Sequence, residues 1–202
     1  VLDLRTASRC EARRALLPRA QQYGDTLRVL FRRAGIEVRT FRCAPDHPLH
    51  RDSGPIRDFS VVFPRTSGSI QHEGKAPFFA SPLVAPLYNR GQRYVRCGDN
   101  PHNTRGDRSD WIGIHDQQLV LRIAREFEPR IDDTPEEPFR FPFAPAPAAV
   151  YARQRALHHR LRGAEELDPD EVEHEAVDIV RDLLAAAYRS ERPRALSPGE
   201  HR

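Results

Sequence analysis

From Gly35 to His115 short apolar runs alternate with turn residues, and after His115 the apolar spacing becomes helical. That switch of period constrains the fold more than any other feature. The first stretch favours strands and the second favours helices. Eighteen prolines argue the same way, because they break helices and belong in loops and short strands. The expected class is therefore α+β: a small antiparallel β-barrel, cupin-like or jelly-roll-like, followed by a helical segment.

The strands are expected as follows. Ile36–Cys43 is the first. In Asp58–Phe63, Phe59, Val61 and Phe63 face one way while Ser60 and Val62 face the other. Ser69–Glu73 and Pro77–Ala80 flank Gly74 as a hairpin, and Leu83–Tyr88 and Tyr94–Cys97 flank Asn89-Arg90-Gly91 as a second. Asp110–Ile114, with the only tryptophan, Trp111, is the last strand. Before the barrel, Leu27, Leu30, Phe31 and Ala34 share a helical face, so Asp25–Ala34 reads as a short helix ended by Gly35.

Beyond the barrel, Asp116 caps a helix burying Leu119, Val120, Ile123, Ala124 and Phe127. A proline-rich, acidic connector runs from Arg130 to Pro147, then a helix over Ala148–Arg162, whose His158 and His159 read as solvated. The last helix has Asp168 at its cap, Pro169 in its first turn and Glu171 where a capping box wants it. Its stripe is Val172, Ala176, Ile179, Val180, Leu183, Leu184 and Ala187. The expected organisation is a leader over 1–35, a barrel over 36–115, helices over 116–190 and a linker over 191–202.

Composition excludes some functions. No apolar run approaches the ~20 residues of a membrane helix, and Asp3, Arg5, Arg9 and Glu11 interrupt any signal peptide in Val1–Arg14. A cytoplasmic protein without membrane contact is expected. The net charge is +3, and Lys75 is the only lysine. The many arginines are scattered among Asp and Glu, so they form no single basic patch. The last helix opens with Asp168, Asp170, Glu171, Glu173 and Glu175, which a phosphate backbone would repel.

Cys43, His47 and His50 place a thiolate and two imidazoles in one loop, a possible partial zinc site. The fourth ligand would be Cys97, His72, His102 or Asp46. Against a metal, nine histidines in an arginine-rich chain cluster by chance, and Pro45 and Pro48 explain the loop by themselves. No catalytic set is visible: there is no His-x-His pair, no nucleophile elbow and no phosphate-binding glycine loop. An enzyme is not expected.

Further residues carry a resemblance. Asp58-Phe-Ser-Val-Val-Phe-Pro-Arg65, Ile70-Gln-His-Glu-Gly74, Ala80-Ser-Pro82, Tyr88-Asn-Arg-Gly-Gln92 with Tyr94, and Gly106-Asp107 before Asp110-Trp111 occur in an order that resembles the sensor domain of AraC/XylS-family transcription regulators. The match spans roughly Arg39 to Ile114 and is closest to the subgroup with a divergent cupin barrel. The resemblance implies an effector-sensing and dimerising half whose DNA-binding helix-turn-helix half lies outside this chain. It implies a small-molecule effector in the barrel, touched by residues among Phe59, Val61, Phe63, His72, Tyr88, Tyr94 and Trp111. It also implies a homodimer through Val172, Ala176, Ile179, Val180, Leu183 and Ala187, although the same stripe could pack on the chain's own barrel. The alternative is a stand-alone metal-binding cupin-like protein, or an enzyme acting on a small molecule.

Overall fold

A computed structural model describes residues 27–33, 35–44, 52–97, 107–128, 135–163 and 166–191. Nine strands and three helices lie among these residues. The strands are β1 (Leu27–Arg33), β2 (Ile36–Cys43), β3 (Phe59–Pro64), β4 (Gly68–His72), β5 (Phe78–Ala80), β6 (Val84–Tyr88), β7 (Tyr94–Cys97), β8 (Asp107–Ile114) and β9 (Phe143–Pro145). The helices are α1 (Gln117–Arg125), α2 (Ala148–Arg160) and α3 (Pro169–Glu191). No helix among the described residues is long and apolar enough to cross a membrane.

The strands form two antiparallel sheets, one of six strands in the order β1-β2-β8-β3-β6-β9 and one of three in the order β5-β4-β7. These pairings do not close into a barrel among the described residues. Alternation gives the large sheet two distinct faces. Ile36, Val38, Phe59, Val61, Phe63, Ala85, Leu87, Ile112 and Ile114 join α1, α2 and α3 in the main core. Phe41, Cys43, Val62, Tyr88 and Trp111 point the other way, with Tyr94 of the small sheet packed on them. The chain is thus layered: helices, large sheet, small sheet.

Three expectations need correction. The first is the helix over Asp25–Ala34, whose described part is strand β1. Its register with β2 slips between Val29 and Phe31, so Leu30 is an extra residue. Leu27 is aligned with Phe41 on one face and Phe31 with Val38 on the other. A bulged strand thereby reproduces the i, i+3, i+4 spacing of a helix. The second is the hairpin at Asn89-Arg90-Gly91. The turn exists, with Gly91 at φ 82°, but β6 pairs with β3 and β9, whereas β7 pairs with β4. The turn hands the chain from one sheet to the other. The third is the last strand. β8 begins at Asp107, and β9 forms within the proline-rich connector, against β6. The Asn89 side chain holds that connector like a strand partner. Its Nδ2 donates to the Phe139 carbonyl at 2.9 Å, and its Oδ1 accepts from the Phe139 amide at 3.0 Å.

Other local readings hold. The Asp116 carboxylate accepts from the Gln118 amide at 2.8 Å at the start of α1. Asp168 does the same for the Asp170 amide, at 2.8 Å, at the start of α3. Gly74, at φ 72°, turns β4 toward β5.

The stripe of α3 is covered within the single chain. Val172, Ala176, Ile179, Val180, Leu183, Leu184 and Ala187 are at most 2% exposed and belong to the main core. The six of these expected at a dimer interface therefore pack on the chain's own elements, and a partner would have to meet other residues. His158 also departs from expectation. It is fully buried at the foot of α2, 3.4 Å from Asp110 of β8, whereas the neighbouring His159 is exposed. A carboxylate on the apolar face of β8 draws that ring inward.

Candidate functional site

The side of the large sheet that faces the small sheet carries two clusters, one aromatic and one charged. Tyr88 is the centre of the aromatic cluster. Its ring stacks on Trp111 with centroids 5.6 Å apart, and lies 4.8 Å from Tyr94 and 4.7 Å from His72. Phe78 of β5 meets His72 edge-on at 5.3 Å. β4 turns His72 and Ile70 inward together, as its alternation requires. Burial pushes the Tyr88 phenol well above its ordinary pKa, Tyr94 adds to the rise, and Arg96 opposes it.

The protonation of His72 follows from its neighbours. The Asn89 backbone amide can only donate, and it meets Gln92 Oε1 at 3.0 Å. The other end of that amide, Gln92 Nε2, must therefore donate to His72 Nδ1, 3.1 Å away. Nδ1 is then an acceptor, and the proton of the neutral ring sits on Nε2. Burial, with Lys75 adding to it, lowers the His72 pKa from 6.5 to about 4, so the ring is neutral near pH 7. His72 Nε2 is buried among aromatic rings without a hydrogen-bond partner. An N–H left so costs about 1–3 kcal/mol, and a ligand atom able to accept would relieve that cost.

The charged cluster lies where β2, β8 and β3 run side by side. Arg39 Nη1 donates to Glu37 Oε1 at 3.1 Å, and Nη2 donates to Asp58 Oδ1 at 2.8 Å and to Ser60 Oγ at 3.0 Å. Glu37, Asp58 and Ser60 are buried. The Arg39 guanidinium also lies over the Trp111 ring, 5.3 Å from its centroid, so the two clusters touch. Gly113 of β8 sits between Glu37 and Ser60 in the sheet register. A Cβ there would come within 2.6 Å of Asp58 Oδ2, so the glycine makes room for the carboxylate.

The expected pocket residues divide between the two faces. His72, Tyr88, Tyr94 and Trp111 come together between the sheets. Phe59, Val61 and Phe63 lie on the opposite face, in the core under the helices. Cys43 is buried in the same cluster as Trp111 and Tyr88. His47 and His50, its expected metal partners, lie outside the described residues, as do Asp46 and His102 among the options for a fourth ligand. Sequence reasoning missed Phe78 and Gln92 of the aromatic cluster, and Glu37, Arg39 and Asp58 of the charged one. One signal was available for the latter: a glycine inside a strand marks a close approach.

No protein-family model and no curated protein matches the chain. Comparison with solved structures finds partial similarities. An apo ToxT variant from Vibrio cholerae is 6% identical with a TM-score of 0.48, over 78% of this chain and 57% of that one. The AraC-like transcriptional activator CuxR is 11% identical with a TM-score of 0.42, over 81% of this chain and 54% of that one. A further ToxT structure from Vibrio cholerae is 8% identical with a TM-score of 0.42, over 77% of this chain and 58% of that one. The chain spans a little over half the length of these proteins.

Proposed function

We propose that this chain is the effector-sensing half of a transcription regulator of the AraC/XylS type, acting in the cytoplasm without catalysing a reaction. The effector would be a small, uncharged, planar molecule bound between the two sheets, in a cupin-like barrel. One observation carries the ligand site: the buried Nε2–H of His72, on a ring packed against Phe78 and Tyr88, has no hydrogen-bond partner. Apolar walls with a single fixed polar group are how small-molecule sites obtain both affinity and orientation. The ordered motifs between Arg39 and Ile114 support the regulator class. DNA contact would belong to a separate domain, and pairing of two copies to residues outside the covered stripe of α3.

Trp111 is the only tryptophan, so its emission reports on this site alone. A thermal-shift screen of uncharged aromatic and carbonyl compounds should yield a binder that raises the Tm and changes Trp111 emission. That gain should vanish in His72→Phe. A screen with no binder, or binders that leave Trp111 emission unchanged, would refute the reading. Sedimentation of the chain at high micromolar concentration tests pairing, and a monomer there refutes that part.

A further inference from the structure

We infer that Glu37, Asp58 and His115 form a binding site for a divalent transition-metal cation. Their ligating atoms all lie within 4.8 Å of one another, which is the convergence a bound ion needs. His115 follows β8 directly and turns its ring toward both acids. Its Nε2 is 3.6 Å from Glu37 Oε2, and its Nδ1 is 3.6 Å from Asp58 Oδ2. Only one ring nitrogen can bind a given ion. With one atom from each residue the set spans up to 4.8 Å, against some 3–4 Å between ligands about 2.1 Å from one ion, so the exposed His115 ring must turn to complete it.

The surrounding groups act as a supporting shell. Arg39 and Ser60 hold one oxygen of each acid: Arg39 takes Glu37 Oε1 and Asp58 Oδ1, and the Ser60 hydroxyl donates to Asp58 Oδ1 at 2.6 Å. Metal-ligating carboxylates are commonly oriented by such hydrogen bonds. The second oxygens, Glu37 Oε2 and Asp58 Oδ2, are left facing His115. Asp58 Oδ2 is buried and has no hydrogen-bond partner, an independent sign of a missing ligand. Glu37 Oε2 pairs with Arg32, whose side chain is 66% exposed and can swing into solvent. Arg39 and Arg32 together balance the two carboxylates, so a cation would take the place of Arg32, whose departure into solvent leaves one buried negative charge.

The donor set selects the class of ion. Two carboxylates with one imidazole suit zinc or manganese, while magnesium and calcium favour oxygen alone. His115 is 41% exposed, so an ion has a route in and the coordination sphere has room for water. The site shares no residue with the Cys43, His47 and His50 set, and it does not depend on the effector reading.

The test is isothermal titration of the full chain with zinc chloride, run on wild type and on His115→Ala, Asp58→Asn and Cys43→Ser. One zinc per chain is expected, bound at least tenfold more weakly by His115→Ala and Asp58→Asn and unchanged in Cys43→Ser. His115→Ala is the decisive variant should Asp58→Asn fail to fold, because its ring lies at the surface. An absence of zinc binding overturns the inference. So does zinc binding that survives His115→Ala, or zinc binding lost in Cys43→Ser, which would point to the cysteine loop.

Discussion

Replacing His72 by Phe should remove a specific part of the chain's sensitivity to acid. Phe keeps an aromatic ring against Phe78 and Tyr88 but cannot take a proton. In the wild type the folded-state pKa is lowered from 6.5 to about 4, so between those values the unfolded chain binds a proton that the folded chain refuses. Stability from this group is therefore full above the unfolded pKa and falls as pH drops toward the folded one. From pH 7.5 the loss comes to about 2 kcal/mol at pH 5 and about 3 kcal/mol at pH 4. Urea unfolding of wild type and variant, followed by Trp111 fluorescence, measures it. Other titrating groups contribute equally to both proteins and cancel in the difference. The variant should gain on the wild type by those amounts as pH falls. Parallel stability curves for the two would refute the buried, neutral His72.

Other perturbations test the remaining parts of the structure. Gly113→Ala drives a Cβ into the Asp58 carboxylate and should cost about 1–3 kcal/mol by urea unfolding; a neutral change would mean that Asp58 is not held over the glycine. Arg155→Ala removes a 2.6 Å charge-assisted bond to the buried Asp110. Burial alone would raise the pKa of that carboxyl, but His158, Gln154 and Arg155 outweigh it and hold it below the ordinary value. The stability it supplies is present above the unfolded pKa and lost as pH falls, so Arg155→Ala should lower stability at pH 7 by about 1–3 kcal/mol. The acid-unfolding midpoint should also move to higher pH. Leu183→Ala should cost about 2–5 kcal/mol with no change in sedimentation, because Leu183 is buried within its own chain. A variant that dissociates a dimer at little cost in stability would refute that placement.

What the sequence revealed depended on how local each signal was. Clean alternation in Phe59–Phe63 was enough to place β3, because one buried apolar set facing one way specifies a strand. Asp116 and Asp168 were legible as caps because a helix start is decided within a few residues. β1 misled because a single bulge converts period two into helical spacing, and only the partner strand reveals the slip. The Asn89-Arg90-Gly91 turn was correct in itself, but no local signal says which strand each arm will pair with. Alternation put His72 on the same face as Ile70 but left open whether that face was buried or half-exposed, and its tautomer required Gln92, which lies twenty residues away and meets it only in the fold. The apolar stripe of α3 was unmistakable, whereas what covers it was not, since a stripe looks alike whether it meets its own sheet or a partner.

Two of the buried charge clusters sit on opposite faces of one sheet, and of these only the one around Asp110 has an evident structural task. Asp110 projects from β8 toward the helices and is met there by Arg155 and Gln154. That cluster joins two layers that hydrogen-bonded ladders do not join, so it fixes where α2 lies on the sheet. Glu37, Arg39, Asp58 and Ser60 come from β2, β3 and the residue before β3, and the ladders through β8 already hold those strands together. A buried ion network is weak evidence for stability, because desolvation offsets much of the attraction. Cross-linking cannot account for a second network where the backbone already supplies it. Its open side, bounded by Asp58 Oδ2 and the half-exposed His115 ring, is what a ligand-binding role explains and a purely structural one leaves over. Gly113, which gives the Asp58 carboxylate its space, follows from the same requirement.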